Sequence, residues 1–267
     1  MNLATVRRAH RALRSFVSKR SAADQHDGYL TNLISQCAPG RSFVDIGCMW
    51  GINGHMCFLA EQKGAASVTG VDVAEATEAF KKRHRETGSK IRFVHGDFHD
   101  PGVQSKIGLI DVVYCSGVLY HVPNPLETLI GLRKICGQTL ILATAAIPEM
   151  EVRNAAVFWP HLDAAQRRLW DQKIGIQVGI TSAYDPSEGY GNWIWGMSPS
   201  CIESMLTIAG FSVGERQVSP FGVVFTCRVE ETKFAPVSGA SQSPHTISFA
   251  EARLGKLGRR LWENDAA

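Results

Sequence analysis

The residues in this chain best equipped for chemistry stand at the ends of short apolar runs. Phe43-Val44-Asp45-Ile46-Gly47-Cys48-Met49-Trp50-Gly51-Ile52-Asn53-Gly54 joins a buried-strand pattern to a glycine-bearing turn that opens a helix. Glycine lets a backbone approach a ligand closely, and a helix N-terminus offers unpaired N–H groups. The spacing is G-x-x-x-G-x-x-G, not the dinucleotide pattern G-x-G-x-x-G. The next run, Val68 to Asp72, ends in a carboxylate that can accept both hydroxyls of a ribose, or else cap the following helix. The third ends in His95-Gly96-Asp97-Phe98. There Asp97 can accept from an adenine amino group while Phe98 packs on the ring. Each feature alone is weak; in order, at the ends of successive strands, they point to a nucleoside-bearing cofactor.

Acceptor chemistry is sparser. His121 follows the fourth apolar run, at the edge where open α/β sheets bind ligands. An imidazole there can act as a general base toward a hydroxyl, or it can order the Val122-Pro123 turn. Tyr120 shares that position. His95 and His99 flank Asp97 at a spacing of four, but the segment leaves a strand, so no metal site is expected. Residues 148–197 hold Trp159, Trp170, Trp193 and Trp195 without clear periodicity. We read this segment as a substrate cover. Trp193 and Trp195, beside glycines, are its pocket candidates, and Trp159 and Trp170 suit a hydrophobic plug.

The elements that must position these groups alternate. Strands are expected at 41–46, 67–72, 90–95, 109–115 and 138–144, with helices between most of them. One helix over 74–87 should end at Gly88, and another starts at Asn124-Pro125-Leu126-Glu127 and should end at Gly137. Ser198-Pro199 caps a helix that ends at Gly210, and strands near 211–218 and 221–229 follow. Such alternation makes a parallel sheet with helices on both faces. Residues 1–27 form a basic helical appendage, 28–231 the main domain, 232–248 a linker and 249–267 a basic amphipathic tail.

Composition narrows the classes. The chain has 267 residues, 45% hydrophobic and 20% charged, as ordinary globular proteins do. No apolar run is long enough to span a membrane, and no secretory signal is read. The 7 cysteines are scattered without a C-x-x-C pair, which argues against a disulfide framework or structural zinc and for a reducing, cytoplasmic setting. Net charge is +3, yet Arg7, Arg8, Arg11, Arg14, Lys19 and Arg20 share the first twenty residues with no acid. The remainder is therefore net acidic, which excludes a protein that coats nucleic acid along its whole surface. A local anionic partner near the N-terminus, RNA or a membrane surface, stays open.

In VDIGCMWG, GVD at 70–72, HGDF at 95–98 and DVVYCSGVLYHVPNP at 111–125, the chain resembles class I S-adenosylmethionine-dependent methyltransferases. With GNWIWGMSPSCIESMLTIAGF at 191–211, it is similar to a narrower group. That group comprises the tRNA wobble-uridine carboxymethyl-transferring enzyme and natural-product or glycan methyltransferases. The resemblance implies a Rossmann-like, seven-stranded, mostly parallel α/β sheet closed by an antiparallel C-terminal hairpin. It implies S-adenosyl-L-methionine as cofactor. Asp45, Gly47 and Gly51 would then shape the methionine and ribose side of the pocket. Asp72 would hold the ribose, and Asp97 and Phe98 the adenine. The backbone of Cys115 and Ser116 would lie near the sulfonium. Met49 stands where the family usually has glycine, so the turn is either looser or carries its side chain away from the cofactor. The basic and tyrosyl grip of the carboxymethyl-transferring relatives is not matched here. Plain O-methylation of a small-molecule or glycan hydroxyl, through His121 or Tyr120 and without metal, is the expected activity. The alternatives are a tRNA-modifying methyl- or carboxymethyltransferase and a non-catalytic binding protein on the same fold. An anionic membrane is a further candidate contact for the tail helix.

Overall fold

The computed structural model describes residues 26–174, 183–219 and 222–230. The N-terminal basic helix, the linker and the tail lie outside the described residues, as does the Trp170 side chain.

Seven strands form one sheet: β1 Ser42–Ile46, β2 Ser67–Asp72, β3 Arg92–His95, β4 Ile110–Ser116, β5 Cys136–Thr144, β8 Phe211–Ser219 and β9 Gly222–Val229. The spatial order is β3-β2-β1-β4-β5-β9-β8, parallel from β3 to β5, with β9 antiparallel to both β5 and β8. The chain order reverses between β1 and β4, and such a switch point leaves a crevice at the carboxyl ends of the strands. β6 Ala156–Phe158 and β7 Trp195–Met197 pair separately as an antiparallel ribbon. No helix among the described residues is long and apolar enough to cross a membrane.

The helices are α1 over 26–37, α2 His55–Gln62, α3 Glu78–Thr87, α4 Pro101–Ile107, α5 Pro125–Ile135, α6 Ala164–Ile174 and α7 Pro199–Ala209. Their ends follow local chemistry. The Ser198 hydroxyl accepts the Cys201 N–H ahead of Pro199, and Gly210, at φ 95°, closes α7. Gly88, at φ 61°, closes α3. The Asn124 side chain accepts the Glu127 N–H to start α5. Gly137 does not end α5, however. Helical geometry stops at Ile135, and Cys136 is already extended (φ −91°, ψ 118°), so the helix runs into β5 without a left-handed cap.

Two apolar layers cover the sheet. One gathers Val44, Val113, Leu129, Leu132, Leu142 and Leu206 beneath α5 and α7. The other gathers Leu30, Ile34, Phe43, Phe58, Phe80 and Tyr114 beneath α1, α2 and α3. The strands are thereby buried on both faces, which accounts for their nearly continuous Val/Ile/Leu runs.

Candidate functional site

A cavity of about 400 Å³ opens at the carboxyl ends of β1, β2, β3 and β4. Ile46 and Gly47 border it from β1, Asp72 from β2, Asp97 and Phe98 from the loop after β3, and Ser116 and Gly117 from the end of β4. Tyr120 and His121 stand at its far side, under Tyr190 and Trp193.

The β1 turn earns its glycines individually. Gly47 has φ 83°, and a Cβ there would lie 2.5 Å from Val118 Cγ2. Gly51 also needs its positive φ, 71°, but borders a second depression beside Asp27, Asn53 and Arg83 rather than the main cavity. Met49 has no positive φ and is fully buried among Met56, Phe58 and Phe80, so its side chain points away from the cavity. Burying it anchors the turn with about 1.5–3 kcal/mol.

Asp72 is set by that turn. Its two carboxylate oxygens accept the Met49 N–H at 2.7 Å and the Ala74 N–H at 2.8 Å. An ionised carboxylate offers about four lone-pair sites, so acceptor capacity remains beside the cavity.

Asp97 sits in a denser network. Its Oδ1 accepts from the His99 N–H and faces His99 Nδ1, both at 2.9 Å, and its Oδ2 accepts from the Tyr190 hydroxyl at 2.6 Å. Burial pushes the Asp97 carboxyl up, but the hydrogen bonds from Tyr190 and His99 outweigh it and hold the group below the usual value. The same burial and pairing push the Tyr190 phenol up to about 12. His99 Nε2 lies 2.7 Å from the hydroxyl of fully buried Thr128.

The far side of the cavity is aromatic. The Tyr120 ring lies 4.1 Å from His121 and 4.3 Å from Trp193, centroid to centroid. Trp50, 69% exposed, stacks on His121 at 6.5 Å and marks the mouth. His121 Nδ1 is 2.8 Å from the Asn192 carbonyl. A carbonyl only accepts, so Nδ1 carries the proton, and in the neutral ring Nε2 is the bare nitrogen. Burial lowers the His121 pKa, against an upward pull from that carbonyl. The ring is therefore neutral at pH 7, as a base must be. Burial also raises the Tyr120 phenol, which keeps it protonated.

Several expected site residues stand elsewhere. Asp45 and Cys115 are wholly buried under the sheet edge and do not line the cavity. Asp45 has one oxygen facing the Cys57 thiol at 3.7 Å and the other without a partner. Burial, with the neighbouring Asp72 charge, pushes its carboxyl up to about 7. Phe98 reaches the cavity but belongs mainly to the core, its ring against Gly131. Trp195 is absent from the lining: it packs on Phe158 at 5.1 Å, and its Nε1 donates to the Pro123 carbonyl at 3.0 Å. Trp159 is buried against Ile147 and Gly196, as a plug should be. Among the described residues no cluster of three His, Cys, Asp or Glu side chains suits a metal. Sequence reasoning missed Trp50, His99 and Tyr190 as lining residues. Trp50 could have been found from its place inside the glycine turn; Tyr190 gave no periodic signal.

Residues 43–135 match the family described as "Methyltransferase domain". The likeness is thus to a methyltransferase domain over this part of the chain. The chain is 36% identical over 93 residues to a ubiquinone biosynthesis O-methyltransferase of Vibrio parahaemolyticus, covering 34% of this chain and 37% of that protein. It is 27% identical over 197 residues to a tRNA U34 carboxymethyltransferase of Psychromonas ingrahamii, covering 66% of this chain and 58% of that one. The match thus spans only part of each relative. In fold, the chain resembles the crystal structure of the N-terminal domain of EvdMO1 with SAH bound, at a TM-score of 0.50 and 16% identity, over 79% of this chain and 81% of that chain.

Proposed function

We propose that the protein is an S-adenosyl-L-methionine-dependent methyltransferase that O-methylates a hydroxyl of a small molecule or glycan. The observation that carries this reading is a single cavity with the carboxylates of Asp72 and Asp97 at one side and a half-buried neutral imidazole, Nε2 bare, at the other. The residues fit the cofactor: Gly47 leaves a cradle that a Cβ would fill, and Asp72, fixed by two backbone N–H groups, retains lone pairs for ribose hydroxyls. Ser116 and Gly117 would border the middle of the cofactor, and Asp97 with the edge of Phe98 its adenine end. When bound, the cofactor supplies an electrophilic methyl group on a sulfonium. The chain's own residues align the acceptor oxygen against Tyr120, Trp193 and Trp50, and His121 Nε2 takes the hydroxyl proton.

Methyl rather than carboxymethyl transfer is supported by the lining, which among the described residues contains Asp72 and Asp97 but no Lys or Arg. That balance suits a cationic sulfonium better than an added carboxylate. The tRNA reading keeps support from the longer of the two alignments and from Arg7 to Arg20, which could follow a phosphate backbone. Cytoplasmic residence is supported by the cysteine pattern.

Calorimetric titration with S-adenosyl-L-methionine and S-adenosylhomocysteine, on wild type and Asp72→Ala, tests the cofactor. Saturable wild-type binding that the variant lacks is the expected result; no heat for either ligand would point to a non-catalytic fold. Phenols, glycosides and tRNA are then offered as acceptors. Turnover on tRNA that falls steeply with salt would favour the second reading.

A further inference from the structure

One buried polar side chain in the cover does more than hold its own loop. Residues 186–191 form a short 3₁₀ turn that is broken at Gly189 (φ 50°, ψ −121°). Asn192, 7% exposed, closes this segment into a ring. Its Nδ2 donates to the Asp185 carbonyl at 2.7 Å and the Gly189 carbonyl at 3.0 Å, and its Oδ1 accepts the Asp185 N–H at 2.9 Å. The main-chain carbonyl of the same residue accepts from His121 Nδ1. Two residues further on, the chain is pinned to the loop that carries His121, because the Ile194 and Trp195 N–H groups both reach the Tyr120 carbonyl, at 2.9 and 3.2 Å. Within the ring, two residues before Asn192, the Tyr190 hydroxyl donates to Asp97.

We propose that Asn192 is a positioning residue: its side-chain staple holds the 185–192 loop so that its own carbonyl fixes His121 in the Nδ1–H tautomer, with bare Nε2 turned to the acceptor. The inference builds on the methyltransferase reading for the use made of His121, but it concerns an orientation present before any ligand binds. The alternative tautomer would place a proton on Nε2 and leave Nδ1 with a lone pair against a carbonyl oxygen, an arrangement with no hydrogen bond. A base that must take a proton therefore depends on a carbonyl from the cover. The cover in turn keeps its shape only while both Asn192 donors and its acceptor are engaged. Asn192 touches neither reacting atom; it acts through His121.

The test reads the tautomer directly, by nitrogen NMR of protein labelled with ¹⁵N-histidine, the His121 signal being assigned from a His121→Gln sample. Wild type should show Nδ1 protonated and Nε2 bare. Asn192→Ala should mix the two tautomers and lower kcat by roughly 10–100-fold, the scale of a misplaced catalytic group, with cofactor Kd changed by less than about threefold. Should Asn192→Ala not fold by circular dichroism, Asn192→Asp serves, since it preserves shape and removes both donors. Tyr190→Phe cuts the Asp97 anchor only and should retain the tautomer. The proposal is overturned if wild-type His121 carries its proton on Nε2, if the Asn192 variants keep tautomer and kcat, or if Tyr190→Phe scrambles the tautomer as fully as they do. Failure of every acceptor and cofactor would instead overturn the methyltransferase reading, and the tautomer would still decide this one.

Discussion

The two sides of the cavity are built by different means. On the side proposed for the cofactor, Asp72 closes a parallel strand and hangs on backbone N–H groups from the β1 turn and from its own loop, and Asp97 follows two residues after β3. On the acceptor side, the groups lie on the loop after β4 and on a cover whose ribbon pairs 156–158 with 195–197 across a long stretch of chain. The first side is part of the fold's skeleton, while the second is hung on it by a few bonds such as His121 to Asn192 and Tyr190 to Asp97. Damage to the first should therefore remove binding, and damage to the second should spare binding and remove turnover.

The largest effect is expected from Asp72→Ala, which removes the ribose acceptor and orphans the Met49 and Ala74 N–H groups. Cofactor affinity by calorimetry should fall at least ~100-fold, about 3 kcal/mol, as for a buried charged hydrogen-bond acceptor. Unchanged affinity would break the comparison outright. His121→Ala should lower kcat by ~10²–10³-fold, the usual worth of a general base, with cofactor Kd within twofold. Because burial lowers the His121 pKa, the wild-type rate should hold at neutral pH and decline only on acidification below the usual imidazole value of 6.5, a limb absent from the variant. Gly47→Ala combines a φ of 83° with a Cβ 2.5 Å from Val118 and should weaken cofactor binding and lower Tm together. A loss of about 1–3 kcal/mol in stability is expected for such overpacking.

Asp45 gives an effect of distinct sign. Its folded-state carboxyl titrates at about 7, above the ordinary 3.8, so the folded form is favoured at low pH and loses that advantage as pH rises toward 7. Urea midpoints measured from pH 4 to 8 should fall for wild type and stay flatter for Asp45→Asn. The least effect separates two neighbouring indoles. Trp193→Ala should raise the acceptor KM severalfold, whereas Trp195→Ala, whose ring packs on Phe158 outside the cavity, should leave KM within twofold and lower Tm instead.

The same division governs what could be read from residues alone. Strands β1 to β5 and the caps at Asn124, Ser198, Gly88 and Gly210 rest on local signals, and the structure has each where its signal lies. Gly137 misled because a helix can pass into a strand with no left-handed residue between them. Helix α1 was overlooked although Leu30, Leu33, Ile34 and Ala38 lie at helical spacing and are all buried. The cover was opaque for a better reason. Trp193 and Trp195 carry the same chemistry two residues apart, and contacts with distant Phe158 and Pro123 hold the second outside the cavity. Asp45 and Cys115 have buried side chains, and Ile46 and Ser116, next along each strand, border the cavity, as the alternation of a strand requires.

The position of β9 bears on how this chain assembles. β9 comes last among the described strands, yet it sits inside the sheet between β5 and β8. During synthesis the outer edge of β5, carrying Leu140, Ile141 and Leu142, has no partner until residues 222–229 have emerged, and an open apolar edge invites pairing between chains. The β8–β9 hairpin forms locally within microseconds, but seating it closes a long loop that contains the whole cover. Closing the sheet and enclosing the cover are thus one late event, so a ribosome that stalls before residue 222 releases a chain with a nearly complete cofactor side and a sheet prone to aggregate.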